Sequence, residues 1–256
     1  VAAGVGAATS LFQIADNTYL PALIGRSNLV EGNAKLESTE AVAEIGGPSL
    51  AGVLIELMSA PVTLLVDAAT YLISAGILNR IRAPEPPLEP EALPPTLLRD
   101  LAQGLRAGFG NRLVRPLFLV EGNDALFNGF FFALYMVFTI ETLGMSAGVV
   151  GLLISVGGVG ALLGVALAAK MAHGITRGLP LGTALLVVVS LGRLAALLIP
   201  LAPGPGWLGM AALGAHQLLG DALLLAFAIH AVSLRQSLLP QATLGRANAT
   251  LHVMTG

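Results

Sequence analysis

The chain of 256 residues contains no cysteine. Its chemistry therefore excludes disulfides, thiolate metal sites and cysteine nucleophiles. Charged residues make up only 11% of the sequence, and 55% of the residues are hydrophobic. A soluble surface needs roughly a quarter to a third of charged residues. The composition is therefore too apolar for a soluble globular protein.

Motifs of the common enzyme classes are also missing. The sequence has no serine nucleophile elbow and no His-Glu metal motif, and no Gly-Lys-Ser/Thr follows its glycine-rich stretch at residues 157–164. Those glycines instead predict close packing between helices. The net charge of −2 is uninformative about partners, and no basic patch indicates a nucleic-acid partner. We expect no enzymatic activity, no cofactor and no metal site.

Lysine and arginine follow a regular pattern along the chain. The segments between long apolar stretches alternate, so that one carries positive charge and the next carries none. The charged segments hold the following residues in order: Arg26 and Lys35, six arginines from Arg80 to Arg115, Lys170 and Arg177, and finally Arg235 and Arg246. Positively charged short loops stay cytoplasmic during insertion. The alternation therefore predicts a multi-pass membrane protein.

The apolar stretches are long enough to be membrane-spanning helices, which need about 20 residues each. The sequence predicts an all-α, polytopic transmembrane bundle with seven spans at residues 1–24, 34–58, 60–79, 114–140, 147–172, 179–201 and 207–234. An eighth begins near Ala247 and has about ten residues, or roughly 15 Å of helix. Half a span leaves carbonyls unsatisfied in lipid, so we expect the chain to be a fragment of a longer protein.

One long connector separates the third and fourth spans. Residues 83–95 contain six prolines and three glutamates, which predicts a stiff polyproline-type spacer. Residues 96–115 place leucines at helical spacing, with arginines between them: Leu97, Leu98, Leu101 and Leu105. This pattern predicts an amphipathic helix, either on the cytoplasmic membrane surface or as a solvated linker.

The sequence also contains an internal repeat. Residues 23–36 (LIGRSNLVEGNAKL) align with residues 238–251 (LLPQATLGRANATL) at an offset of 215. The identical pairs are Leu23/Leu238, Leu29/Leu244, Asn33/Asn248, Ala34/Ala249 and Leu36/Leu251. Because the two segments are six spans apart, the repeat predicts two six-helix halves of the kind found in one large class of transporters.

On these residues the chain resembles the major facilitator superfamily, in particular its bacterial exporters, which include the enterobactin and macrolide exporters. Residues 22–36 resemble the loop between that family's fourth and fifth helices, and residues 65–75 (LVDAATYLISA) its sixth helix. Residues 45–52 (IGGPSLAG) are similar to the antiporter motif of the fifth helix. Gly47, Pro48 and Gly52 match that motif, whereas Ala43 and Ala51 replace glycines.

The resemblance implies the architecture and the activity. Residues 1–80 would be the end of the N-terminal half, 81–116 a cytoplasmic linker, and 117–256 the start of the C-terminal half. It implies a monomeric secondary transporter of the bacterial cytoplasmic membrane that exports small organic molecules in exchange for protons by alternating access. The alternative is a membrane protein that transports nothing, such as a sensor or a degenerate remnant.

Polar side chains within the predicted spans are the candidates for function, because each ionisable group near the bilayer centre costs roughly 2.5–3.5 kcal/mol. Asn33, Glu37, Glu40 and Glu44 form one stripe on the second span, and Glu44 is the deepest. Glu44 either takes up a proton or makes a neutral hydrogen bond between helices. Gly47–Pro48 either serves export or simply kinks a tightly packed helix.

The fourth and seventh spans carry the remaining candidates. Glu121 and Asp124 either face a substrate cavity or pair with Arg112 or Arg115. The predicted cavity residues, suited to an amphipathic or cationic substrate, are Asp124, Asn128, Phe131, Tyr135, Gln217 and Asp221. The predicted proton-coupling residues are Glu44, Asp124, His216 and Asp221. Arg193, inside the sixth span, is expected to pair or to extend towards the membrane surface.

Overall fold

The computed structural model describes residues 2–81, 97–172 and 179–255, in which every regular element is helical. The predicted all-α class is therefore confirmed for these residues. Their α-helices are α1 (Ala2–Ile24), α2 (Leu29–Met58), α3 (Ala60–Leu78), α4 (Leu97–Gly110), α5 (Arg115–Val137), α6 (Ala147–Ala172), α7 (Leu181–Ala195), α8 (Trp207–Leu238) and α9 (Gln241–Thr255). A π-turn extends α5 and a 3-10 turn extends α7. The proline-rich spacer lies outside the described residues.

Five helices in the described part of the chain are long and apolar enough to cross a membrane: α3, α5, α6, α7 and α8. The chain thus has the helices of an integral membrane protein. The first two predicted spans, α1 and α2, are not among these five helices. Their polar faces are directed at the functional site described below.

The last positively charged connector is not a connector in the structure. α8 continues to Leu238 and α9 begins at Gln241, so Arg235 and Arg246 both lie within helices. Only the short Leu239–Pro240 segment separates the two helices, because proline favours the start of a helix over its interior. The prediction that the last helix begins near Ala247 was therefore six residues late, and the prediction that Arg235 and Arg246 lie in a connector was wrong.

The glycines of α6 bring that helix against the backbone of α8, as predicted. A Cβ atom added to Gly160 would lie 2.7 Å from the carbonyl oxygen of Leu218, and one added to Gly164 would lie 2.5 Å from that of Ala222. Small residues permit such close contact between membrane helices. This packing fixes α8, which carries the cavity residues Gln217 and Asp221.

We expect Gly160→Ala to destabilise the protein by about 1–3 kcal/mol, because backbone atoms of α8 cannot move aside for the added methyl group. Gly151→Ala in the same helix is the matched control, since a Cβ there meets no atom within 4 Å. The control should be neutral or stabilise by up to about 1 kcal/mol. Unfolding of the purified protein in detergent measures both, and equal effects would contradict the packing described here.

The antiporter-like motif lies in the middle of α2. The helix continues through residues 47–52 without interruption, and only the backbone is described for Glu44, Pro48 and Gly52. No atom of the described residues comes within 4 Å of a Cβ added to Gly47. Among the described residues, no neighbouring helix comes close at Gly47.

The predicted amphipathic helix, α4, is docked on the bundle. A Cβ at Gly104 would meet Thr250 and the carbonyl oxygen of Arg246 in α9, and one at Gly108 would meet the ring of Phe118. The Arg246 guanidinium also pairs with Asp100 of α4 at 3.0 Å. A face with two glycines thus holds α4 against α9 and α5.

Candidate functional site

A central cavity of about 680 Å³ lies between α5, α6, α7 and α8. Five of the six predicted cavity residues line it: Asp124, Phe131, Tyr135, Gln217 and Asp221. For the sixth, Asn128, only the backbone is described. The cavity lies within helices long enough to span a membrane, and its size suits a small organic molecule.

Two ion pairs hold the acidic residues of α5. Asp124 pairs with Arg193 of α7, and Glu121 pairs with Arg235 of α8 at 2.6 Å. Both arginines come from other membrane helices, so the predicted pairing with Arg112 or Arg115 was wrong. Arg193 was expected either to pair or to extend towards the membrane surface, and it pairs with Asp124.

Three rings form one wall beside the central cavity. Phe131 and Tyr135 stack at 6.2 Å between centroids, and the His216 ring lies 5.9 Å from Phe131 and 6.2 Å from Tyr135. The hydroxyl of Tyr135 and Nδ1 of His216 are buried without a hydrogen-bond partner among the described residues. Buried polar atoms almost always have partners, so a polar molecule bound in the central cavity would satisfy the Tyr135 hydroxyl, since Tyr135 lines that cavity.

Asp221 and Gln217 reach the cavity because α6 has a glycine opposite them. A Cβ at Gly157 would collide with a carboxylate oxygen of Asp221 and would lie 3.4 Å from the amide nitrogen of Gln217. The predicted proton-coupling residues Asp124 and Asp221 thus share one cavity. His216 packs behind it against the rings, and the side chain of Glu44 is not described.

A second cluster, here called the polar junction, joins five helices at one end of the central cavity. Its members are Thr18 of α1, Asn33 of α2, Glu121 of α5, Ser233, Arg235 and Gln236 of α8, and Asn248 of α9. Arg235 donates from Nη1 to Glu121 and from Nε to the Asn248 side chain at 2.9 Å. The exposed fraction of the Arg235 side chain is 6% and that of Glu121 is 18%. The pair is therefore shielded from water.

The hydrogen bonds of the polar junction follow the internal repeat. Asn33 donates to the Ser233 hydroxyl at 2.9 Å, and Asn248 donates to the Thr18 hydroxyl at 3.4 Å. The offset of 215 relates Asn33 to Asn248 and Thr18 to Ser233. The two hydrogen bonds are therefore equivalent, because each joins an asparagine of one repeat to the hydroxyl of the other repeat. We call this pair the crossed hydrogen bonds.

The hydroxyl groups in the crossed hydrogen bonds are also held in the same way. Thr18 donates to the carbonyl oxygen of Ile14 at 2.7 Å, and Ser233 donates to that of Ile229 at 2.6 Å. Ile14 and Ile229 are again 215 residues apart. The repeat is therefore present in the side-chain geometry of α1 and α8, beyond the loop segments where the sequence reveals it.

On the other side of the polar junction lies an acidic cavity of about 620 Å³ between α1, α2, α8 and α9. Asp16, Glu37 and Glu40 line it, which places part of the predicted α2 stripe there. Arg235 also lines the acidic cavity, while its partner Glu121 lines the central one. The Arg235–Glu121 pair thus joins the walls of the two cavities.

Sequence reasoning missed most members of the polar junction. It placed Arg235 in a positively charged connector, whereas Arg235 is buried within α8. The repeated asparagines at positions 33 and 248 were the available signal.

Among the residues whose positions are described, no three histidine or acidic side chains form a group able to hold a metal ion. Comparisons with protein-family models, curated proteins and solved structures found no match.

Proposed function

We propose that the protein is a secondary active transporter of the major facilitator type, which exports small organic molecules in exchange for protons from the bacterial cytoplasm. The crossed hydrogen bonds carry this proposal. Alternating access needs repeat-related helices that meet through contacts able to open and close as a unit. Two equivalent bonds between α1 and α9 and between α2 and α8 are suited to that role.

The central cavity would hold the substrate and α8 would link it to the polar junction. Asp221 and Ser233 are 12 residues apart on this helix, about 18 Å along its axis. A change in charge at Asp221 therefore acts on the same rigid element that carries Ser233 and Arg235. Protonation of Asp221 and release of substrate would then favour opening or closing of the polar junction.

The test is proton-driven efflux from liposomes that contain the purified protein, measured with a panel of fluorescent organic cations. We expect Asp221→Asn to lower the proton-driven rate about tenfold or more, because an amide cannot carry the proton. Asp124→Asn and Glu44→Gln are tested alongside it. Whichever of the three variants removes the coupling residue should still exchange substrate across the membrane when no proton gradient is applied.

Asp67→Asn is the matched control, since Asp67 is an exposed acid of a membrane-length helix outside the cavity. If all three cavity and α2 variants retain proton-driven efflux, the proposed coupling residues are wrong. If the unaltered protein moves none of the cations in either assay, the membrane protein that transports nothing is the better explanation.

A further inference from the structure

The outer side of α4 is a surface that the proposed transport activity does not use. Its inner side is occupied by α9 and Phe118 through Gly104 and Gly108. On the outer side and in the following turn, Leu105, Arg106, Arg112 and Leu113 are exposed. We call these four residues the basic face of α4.

The basic face carries positive charge that the described residues do not neutralise. Asp100 is the one acidic residue in the sequence of α4, and it pairs with Arg246 of α9. Arg106 and Arg112 are exposed and form no ion pair among the described residues. Arg115, which begins α5, bonds to the carbonyl oxygen of Phe109 and adds a further charge nearby.

The position of α4 in the fold places the basic face at the membrane boundary. α5, a helix of spanning length, starts at Arg115, five residues after the end of α4. The α8–α9 connection lies at the same end, where Val114 and Phe118 pack against Leu239 and Leu244. Alternating arginine and leucine side chains at this depth suit the zone in which head groups meet acyl chains.

We propose that the basic face of α4 binds the anionic phospholipids of the adjacent bilayer leaflet. Arg106 and Arg112 would contact lipid phosphates, while Leu105 and Leu113 enter the upper acyl region. Each arginine near an anionic leaflet contributes about a fivefold preference for it. Because α4 is tied to α9 through Asp100–Arg246, the bound lipid holds the helix that carries Asn248.

The absence of cysteine allows a direct test. Leu105→Cys is labelled with an environment-sensitive fluorophore, and the protein is reconstituted in phosphatidylcholine liposomes with increasing phosphatidylglycerol. The emission should shift to the blue as the anionic fraction rises. Adding Arg106→Gln and Arg112→Gln should weaken this response about 25-fold, the product of two fivefold preferences. Arg106→Lys with Arg112→Lys should preserve most of it.

Lys35→Gln is the matched control, because Lys35 is an exposed cation outside α4 and should leave the response unchanged. The proposal is overturned if emission is the same in neutral and anionic liposomes, or if the double glutamine variant responds normally. A third outcome also overturns it: the protein responds to anionic lipid only after Glu85, Glu89 and Glu91 are replaced by glutamine. In that case the acidic spacer, not lipid, occupies the basic face.

Discussion

Replacing Arg235 by leucine is expected to destabilise the protein by about 3–5 kcal/mol, the usual cost of removing one partner from a buried ion pair. The substitution leaves the Glu121 carboxylate in a shielded position without its cation. It also removes the donor to the Asn248 side chain. Unfolding in detergent, followed by helical signal against denaturant or temperature, measures the loss.

The double variant Arg235→Leu, Glu121→Leu should recover much of that loss, because apolar residues of similar size often replace a buried ion pair without penalty. The coupling between the two positions then follows from the double-mutant cycle. Lys35→Ala is the control, since its pair with Glu31 is 75% and 69% exposed and contributes about 0.5 kcal/mol or less. Equal effects of Arg235→Leu and Lys35→Ala would mean that Arg235 is hydrated.

Charge alternation succeeded as a guide to the membrane class but failed at Arg235. The rule treats each arginine as a mark of a wet loop, and it has no information about a partner 114 residues away. The position of an arginine at the end of an apolar stretch depends on its hydrogen-bond acceptors as well as on the adjoining loop. Arg193, which lies inside a predicted span, likewise has its acceptor, Asp124, on a separate helix.

The repeat shows how much a single sequence contains. The identical asparagines at positions 33 and 248 are visible in the sequence. Thr18 and Ser233 are different residue types, and each lies before its aligned segment. Their equivalence rests on shared chemistry, a hydroxyl bonded to the carbonyl four residues earlier. Only the packing of α1 with α9 and of α2 with α8 reveals that the asparagines exchange partners.

The central cavity was predictable in part because helical spacing fixes which residues share a face. Asp124, Phe131 and Tyr135 on α5, and Gln217 and Asp221 on α8, follow such spacing and line one cavity. The contribution of Gly157 was not predictable, because room for the Asp221 carboxylate depends on how close α6 comes to α8. Periodicity describes one helix, whereas a cavity depends on several.

Cross-linking the two residues of either crossed hydrogen bond is expected to abolish transport. In the cysteine-free chain, Thr18→Cys with Asn248→Cys, or Asn33→Cys with Ser233→Cys, provides the only two thiols. A short bifunctional thiol reagent then holds α1 to α9 or α2 to α8. If transport requires the polar junction to open, the cross-link removes the open state, and efflux should fall to the rate of empty liposomes. Cleaving a disulfide-containing linker with a reductant should restore it.

The matched control cross-links a linker helix to one half, so it does not join the two repeats. Asp100→Cys with Arg246→Cys links α4 to α9, whose side chains already meet at 3.0 Å, and should leave efflux close to that of the uncross-linked protein. Each cysteine pair without reagent measures the effect of losing the hydrogen bond alone. Because the crossed hydrogen bonds are related by the repeat, either cross-link should block transport to the same extent. Normal efflux with a cross-link in place would show that the helices stay together at the polar junction during transport. The proposal that this interface opens in alternating access would then be wrong.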